Sequence, residues 1–375
     1  MRIAVICRHF SRASGGAESY AIALAQGLAR HHEVHIFSQD SNHPVDDVIY
    51  HRVFRFSDRP RWLNQIVFAC SSWFQTRRGY DVVHSHENTW QGQIQTIHVR
   101  PVRFSLLCGT TGLRLFFRWI KVLVSPRLIA YLMLERARFK CSSVHHVVAT
   151  SDHLRQECEM AYPHCTGMIE VIPPGVSLPT LPLERDVARQ TLGLPRAGRL
   201  VLFVANDYAR KGLTTLLKAI LLLPSDVVLV VVGNSGAVPK YHDYAQELNI
   251  EERVFFLGTL NDLSAAYASA DCLAHPTLED SFAMVVLEAM AYGLPVVVSG
   301  ADQCGISREL THGENALLLS DPKDEKDLAI QIGKVLDDEV MAQSLRESGL
   351  VFAQNKTWDH AVFKYEKLYL KVESL

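Results

Sequence analysis

The sequence predicts an α/β protein made of two doubly wound, parallel-sheet domains, and three observations carry that reading. Strand-length apolar runs alternate with helix-length stretches throughout, the pattern of parallel sheets joined by crossover helices. At 375 residues the chain is longer than one hydrophobic core ordinarily supports. Between the two alternating halves lies IPPGVSLPTLP, residues 172–182, whose prolines stiffen the chain and remove backbone donors, as suits a hinge. The expected domains are residues 1–172 and 173–356, with a closing helix over 357–375 packing back on the first.

In the first half, apolar runs predict strands at residues 2–7, 34–38, 48–53, 81–84, 94–98 and 144–149. A helix over about 17–30 follows the first strand. In the second half the same reading places strands at 200–205, 227–232, 254–257, 272–274, 295–298 and 316–319. Residues 280–295, DSFAMVVLEAMAYGLP, predict a helix that opens at Asp280 and Ser281 and ends at Gly293 and Pro295. Residues 358–370 predict an amphipathic helix.

The net charge of −2 hides an asymmetry. Residues 1–172 hold 20 Lys/Arg against 13 Asp/Glu, and the remainder holds 18 against 27. The first half is therefore the candidate for anionic lipid or an anionic acceptor. Near-neutral overall charge and the lack of a binding motif argue against nucleic acid. No run of 18 uncharged apolar residues predicts a membrane span, and the apolar stretch in MRIAVICRHF is too short for a signal peptide. The eight cysteines form no CxxC pair, as in a reducing cytosol, and Cys158, His164 and Cys165 fit no common zinc spacing.

Five segments carry candidate chemistry. Ser14, Gly15, Gly16, Ala17 and Glu18 form a strand-to-helix turn where a ligand can approach backbone, although a GG turn is often only a turn. Arg210 and Lys211 in NDYARKG follow a strand, where open α/β sheets bind ligands. Two cations there match a diphosphate, or are simply a solvated pair. Glu288 is the one acid in an apolar helix. It needs a polar partner, either a ribose diol or a buried arginine. His98 ends one strand, with His84 and His86 ending the previous one. The latter two suit packed structural roles, and His98 suits either packing or a sugar contact. Finally, residues 99–140 interleave Arg114, Arg118, Lys121 and other cations with Phe, Trp, Leu and Ile. That reads as a membrane-surface element, or as two core helices with basic outer faces.

Taken in order, GGAE, VIPPGV, RKG, HPTLEDSFAMVVLEAMAYGLPVV and CGISRELTHGENALLL resemble the family 4 retaining glycosyltransferases of the GT-B fold, over most of the chain. The IPPGV hinge, the RKG turn and the basic segment after His98 narrow the likeness to the lipopolysaccharide-core glucosyltransferase type, which adds glucose to inner-core heptose.

The resemblance implies two Rossmann-like domains facing across a cleft, with the sugar-nucleotide donor on the second and the acceptor on the first. It makes the protein an enzyme that moves a hexose, taken as glucose from UDP-glucose, without metal or other cofactor. Arg210 and Lys211 would neutralise the diphosphate and Glu288 would bind the ribose. Amides of Ala283, Met284 and Val285 would meet the phosphate or sugar, and Leu257 and Gly258 the base. Gly15 and Gly16 would lie against the diphosphate, and His98 would contact the donor sugar. The family's first acidic position is Asp280 here, about one bond or ~1.5 Å shorter than Glu, so either Asp280 or neighbouring Glu279 fills it. Asp280 is favoured, as a contact to a donor-sugar hydroxyl. The implied setting is a monomer, peripheral on the cytoplasmic face of the membrane. Rival readings are a nucleotide-sugar epimerase of the same fold and a non-catalytic nucleotide-sugar or lipid-binding module.

Overall fold

Unbroken aliphatic runs such as IAVI, which follows Arg2, and VVLVVV leave no polar face for solvent, and each lies inside a parallel sheet. The computed structural model describes residues 1–11, 15–41, 45–57, 59–142, 144–179 and 183–373. The chain divides into two compact units, Met1–Pro174 with the closing helix, and Gly175–Thr357. The first contains β1 (Arg2–Ile6), β2 (His9–Phe10), α1 (Gly16–Leu28), β3 (Glu33–Ser38), β4 (Asp40–Ser41), β5 (Val48–Arg52), α2 (Arg61–Thr76), β6 (Val82–Ser85), β7 (Ile94–Ile97), α3 (Val102–Leu107), α4 (Gly112–Leu123), α5 (Pro126–Arg138), β8 (His146–Ala149), α6 (Asp152–Ala161) and β9 (Ile169–Val171). The second contains α7 (Arg185–Thr191), β10 (Arg199–Val204), α8 (Leu213–Leu222), β11 (Val227–Val232), α9 (Val238–Glu247), β12 (Val254–Gly258), α10 (Ser264–Ser269), β13 (Cys272–His275), α11 (Met284–Ala291), β14 (Val296–Ser299), β15 (Leu317–Leu319), α12 (Glu325–Asp337) and α13 (Glu339–Gln354). The closing helix is α14 (Trp358–Glu373).

Among the described residues the first unit builds a parallel sheet of order β5-β3-β1-β6-β7-β8-β9. The second builds β12-β11-β10-β13-β14-β15, also parallel. In each, the chain lays strands outward in one direction and then starts again on the other side. The reversal falls between β1 and β6 in one sheet and between β10 and β13 in the other. At such a switch point the flanking loops diverge and leave room for a ligand at the strands' carboxyl ends.

In the first unit α14 packs along α1. Gly27 permits the approach, because a Cβ there would sit 2.3 Å from Val362 Cγ2. A buried polar chain ties α14 to the sheet. Tyr20 Oη lies 3.1 Å from Ile172 O and 3.0 Å from Tyr365 Oη. Thr96 Oγ1 is 2.7 Å from Tyr365 Oη and 2.7 Å from His84 Nε2, and His84 Nδ1 is 2.7 Å from Tyr369 Oη.

Several local expectations are revised. The short strands β2, β4 and β9 were not anticipated, since two or three residues make no periodic signal. Residues 99–140 form three helices, α3–α5, not two. Val122 is the one residue of α4 that is buried, so α4 is no core helix. Helix α11 begins at Met284, not at Asp280. Cys141 and Cys165 are disulfide-bonded, against the expectation of free thiols throughout. That pairing also removes Cys165 from any metal reading, and no cluster of three or more His, Cys, Asp or Glu among the described residues is placed to hold a metal. No described helix is long and apolar enough to cross a membrane.

Replacing Tyr365 with Phe strips Thr96 and Tyr20 of a buried partner. Tyr365→Phe should cost about 1–3 kcal/mol in urea unfolding. An unchanged midpoint would show that the polar chain does not hold α14.

Candidate active site

In the second unit the turn after β10 is shaped by Asp207, Gly212 and the loop after β13. Asp207 Oδ1 accepts the Arg210 amide at 3.1 Å, and Asp207 O accepts the Lys211 amide at 3.0 Å. Gly212 has φ +81°, and a Cβ would fall 2.0 Å from Pro276 O, so only glycine lets this turn press against the neighbouring loop. Arg210 O in turn accepts the Leu278 amide at 2.9 Å. The two loops flank the switch point.

Lys211 and Asp280 meet there. Lys211 Nζ donates to Glu279 O at 3.0 Å and to the Asp280 carboxylate. Both side chains are largely enclosed, 13% and 17% exposed. His275, the buried last residue of β13, places Nε2 3.2 Å from Asp280 Oδ2. Asp280 Oδ1 accepts the amides of Phe282 at 3.3 Å and Ala283 at 3.0 Å. Four donors from within the protein thus fill the roughly four acceptor positions of one carboxylate. Ala283 is held at φ +72°, a left-handed conformation that a non-glycine residue adopts only under local constraint. Asp280 supplies that constraint, and α11 starts at the next residue.

The electrostatics follow from this packing. Burial alone would raise the Asp280 pKa, but the His275 hydrogen bond and the Lys211 charge outweigh it and hold the carboxyl well below the ordinary range. Burial lowers the His275 pKa, only partly offset by Asp280. A neutral His275 donating from Nε2 leaves Nδ1 bare, which agrees with Nδ1 being buried without a partner among the described residues.

Glu288 is half-buried on α11 and does not project into apolar side chains alone. Tyr267 of α10 donates to its Oε2 at 2.6 Å. The Tyr267 ring lies 5.3 Å from that of Tyr292, whose hydroxyl bonds Ser264 Oγ at 2.6 Å. Leu257 and Gly258 end β12, and Gly258 O accepts the Gly233 amide at 2.7 Å. The Ala283 amide is taken by Asp280, whereas Met284 and Val285 open the first turn of α11. Arg210 stands apart from the enclosed pair, its side chain 53% exposed and its Nε 3.9 Å from Asp207.

The remaining expected residues lie in the first unit. Gly15, at φ +150°, caps α1, which starts at Gly16; Ser14 lies outside the described residues. His98 follows β7, with Nε2 2.9 Å from His86 Nδ1. Arg114 and Lys121 are exposed on α4. Arg118 is half-buried and donates to Leu106 O at 2.7 Å and Thr110 Oγ1 at 2.6 Å, so its charge serves local structure. Sequence reasoning missed His275 and Tyr267. A histidine ending a strand five residues before Asp280 was a usable signal for the first. Nothing local marked the second.

The comparisons with known proteins agree with this architecture. Residues 14–179 match the family described as Glycosyltransferase Family 4, and residues 184–351 that described as Glycosyl transferases group 1. The chain belongs to the GT-B glycosyltransferases. Lipopolysaccharide glucosyltransferase WaaG of Escherichia coli (strain K12) is 25% identical to this chain over 235 residues, 60% of this chain and 62% of that protein. A D-inositol 3-phosphate glycosyltransferase of Mycolicibacterium gilvum (strain PYR-GCK) is 36% identical over 179 residues, 44% of this chain. The chain spans 62% and 40% of the length of these two relatives. Among solved structures, WaaG superposes with a TM-score of 0.84 at 20% identity, covering 98% of this chain and 99% of that one. Anabaena Alr3699/HepE in complex with UDP-glucose gives a TM-score of 0.73 at 19% identity, covering 98% and 99%. At these identities the structures speak for the fold, and the expected GT-B class holds.

Because the native Asp280 pKa is depressed, its contribution to stability is fully present above the ordinary carboxylate value of about 3.9 and is lost as pH falls through the native value. Asp280→Asn leaves Lys211 enclosed without a counter-charge and should cost about 3 kcal/mol near neutrality. In urea titrations that gap should be flat above about pH 5 and shrink below about pH 4. A gap that widens on acidification would contradict the ion pair.

Proposed function

We propose that the chain is a retaining hexosyltransferase that moves glucose from UDP-glucose to a lipopolysaccharide-core or related cell-envelope glycan. The observation that carries this reading is the Lys211–Asp280 pair at the switch point of the second sheet, with Arg210 exposed beside it. An ammonium has three donors. Two of those of Lys211 go to Glu279 O and Asp280, and the third is available for a phosphate oxygen. Arg210 adds a planar fork suited to a second one. In this reading Asp280 and His275 aim Lys211, and Asp280 itself positions rather than touches the sugar. Glu288 and Tyr267 receive the ribose, Leu257 and Gly258 border the base, and Met284 and Val285 offer the helix start to the donor.

In the same reading the second unit binds the donor and the first carries the acceptor, with Gly15, Gly16 and His98 proposed as the first unit's donor contacts. Support comes from the names of the similar proteins, one a lipopolysaccharide glucosyltransferase and one bound to UDP-glucose. The leaving diphosphate takes the proton of the incoming hydroxyl on the same face, while Arg210 and Lys211 stabilise its growing charge. No cofactor is assigned.

Helix α4 suits the membrane surface. Leu113, Phe116, Phe117, Trp119, Ile120 and Leu123 are all exposed on it, beside Arg114 and Lys121. Such a helix sits in the headgroup region of an anionic leaflet and brings a monomeric enzyme, working on the cytoplasmic face, to a lipid-linked acceptor.

Product analysis with UDP-glucose tests the activity. Transfer to a heptose-bearing core acceptor supports it, transfer only to inositol 3-phosphate redirects the acceptor, and conversion of free donor alone makes the protein an epimerase. Lys211→Met should lower kcat about 100-fold with a much smaller change in donor affinity; a loss confined to affinity would reject the charge-stabilising role. Reversing Arg114 and Lys121 to Glu should weaken sedimentation with anionic liposomes roughly 30-fold or more, at ~1 kcal/mol per basic residue. Partitioning that ignores both salt and these substitutions would rule out an electrostatic anchor.

A further inference from the structure

The histidines at the ends of β6 and β7 define a proton position. His86 Nδ1 and His98 Nε2 are 2.9 Å apart with the rings stacked 5.2 Å centre to centre, so one hydrogen lies between them. Two arrangements satisfy that contact, and they differ at the far side of each ring. If His98 Nε2 carries the hydrogen, neutral His86 must carry its own on Nε2. That atom is buried and has no hydrogen-bond partner among the described residues. A buried N–H without an acceptor is a rare and costly feature, whereas a bare ring nitrogen forgoes only an accepted bond. If His86 Nδ1 carries the hydrogen, its Nε2 is the bare nitrogen and the conflict disappears. His98 then holds its own hydrogen on Nδ1.

A third arrangement, with one ring cationic, is opposed by the surroundings. Burial first, and then the Arg138 guanidinium, push His86 down to about 3. Burial, His86 and Arg138 also lower His98. Arg138 is itself buried, donating to Gln95 Oε1 at 3.1 Å and to Thr96 O, so a fixed positive charge stands behind the strand that leads to His98. Below His86, the ring of His84 stacks at 4.3 Å and is held at both nitrogens by Thr96 and Tyr369. The Tyr20 ring meets His98 edge-on at 5.0 Å. The pair cannot swing to relieve a wrong tautomer.

We propose that His86 is a positioning residue that locks neutral His98 in the Nδ1–H tautomer, making it a hydrogen-bond donor to a sugar oxygen and not a proton acceptor. This rests on the proposed role of His98 as a donor-sugar contact. His98 Nδ1 makes no hydrogen bond to the described residues, which leaves that N–H for a ligand. The consequence for specificity is that His98 selects a hydroxyl or ring oxygen that can accept.

Two-bond proton–nitrogen spectroscopy of the full chain labelled with 15N-histidine reads the tautomer directly, with His98→Gln identifying the His98 signals among the 17 histidines. Wild type should show His98 protonated at Nδ1 and bare at Nε2; the opposite pattern overturns the proposal whatever the activity. His86→Leu, which removes the donor, should shift His98 toward Nε2–H and lower kcat with UDP-glucose about tenfold, with KM little changed. His86→Gln keeps an N–H donor and should retain the wild-type tautomer and most of the turnover. Equal spectra for His86→Leu and wild type would show that His86 does not set the tautomer. If His98→Gln leaves turnover intact, the sugar-contact reading fails, while the wild-type spectrum still decides the proton position.

Discussion

The candidate site of the second unit depends on one largely enclosed carboxylate. Asp280 joins the turn after β10, through Lys211, to the end of β13, through His275, and to the left-handed turn that starts α11. An acid in such a place is stable only while each donor stays, because desolvation opposes its charge and only the summed contacts overcome that. The arrangement is therefore less a source of stability than of position. An apolar substitute would leave the Lys211 ammonium without the contact that fixes it.

Much of the scaffold was legible because buried parallel strands announce themselves as uninterrupted Val, Ile and Leu. The runs around Leu200–Val204 and Val227–Val232 needed no tertiary context. What stayed hidden was decided by partners distant in sequence. Glu288 was readable as an acid needing company, yet Tyr267 lies 21 residues away in another helix. Asp280 looked like a helix opening because Asp often caps. Here its side chain instead bonds the two amides before Met284, and the helix starts later. Cys141 and Cys165 were unreadable as a pair, since spacing alone says nothing of approach in space.

The two units solve the problem of charge in opposite ways. In the second, cation and anion are brought into contact, so Lys211 is paired within a largely enclosed place. In the first, a buried guanidinium, itself pushed down to about 10 chiefly by burial, lies near three stacked imidazoles and favours their neutral forms. Neutral imidazoles can still orient oxygen atoms by hydrogen bonding without contributing net charge.

That division bears on which chemistry the residues can perform. A general base must hold a free lone pair and tolerate the proton it gains. His84 has both nitrogens engaged, His86 is too far depressed, and a cation stands beside His98. Asp280 has its oxygens filled by four donors and its pKa held low, so it is an equally poor proton acceptor. Groups that look catalytic by type are thus fixed in single protonation states by their surroundings. Under the proposed transfer, the proton acceptor is then the substrate's own diphosphate leaving group, whose charge Lys211 would meet.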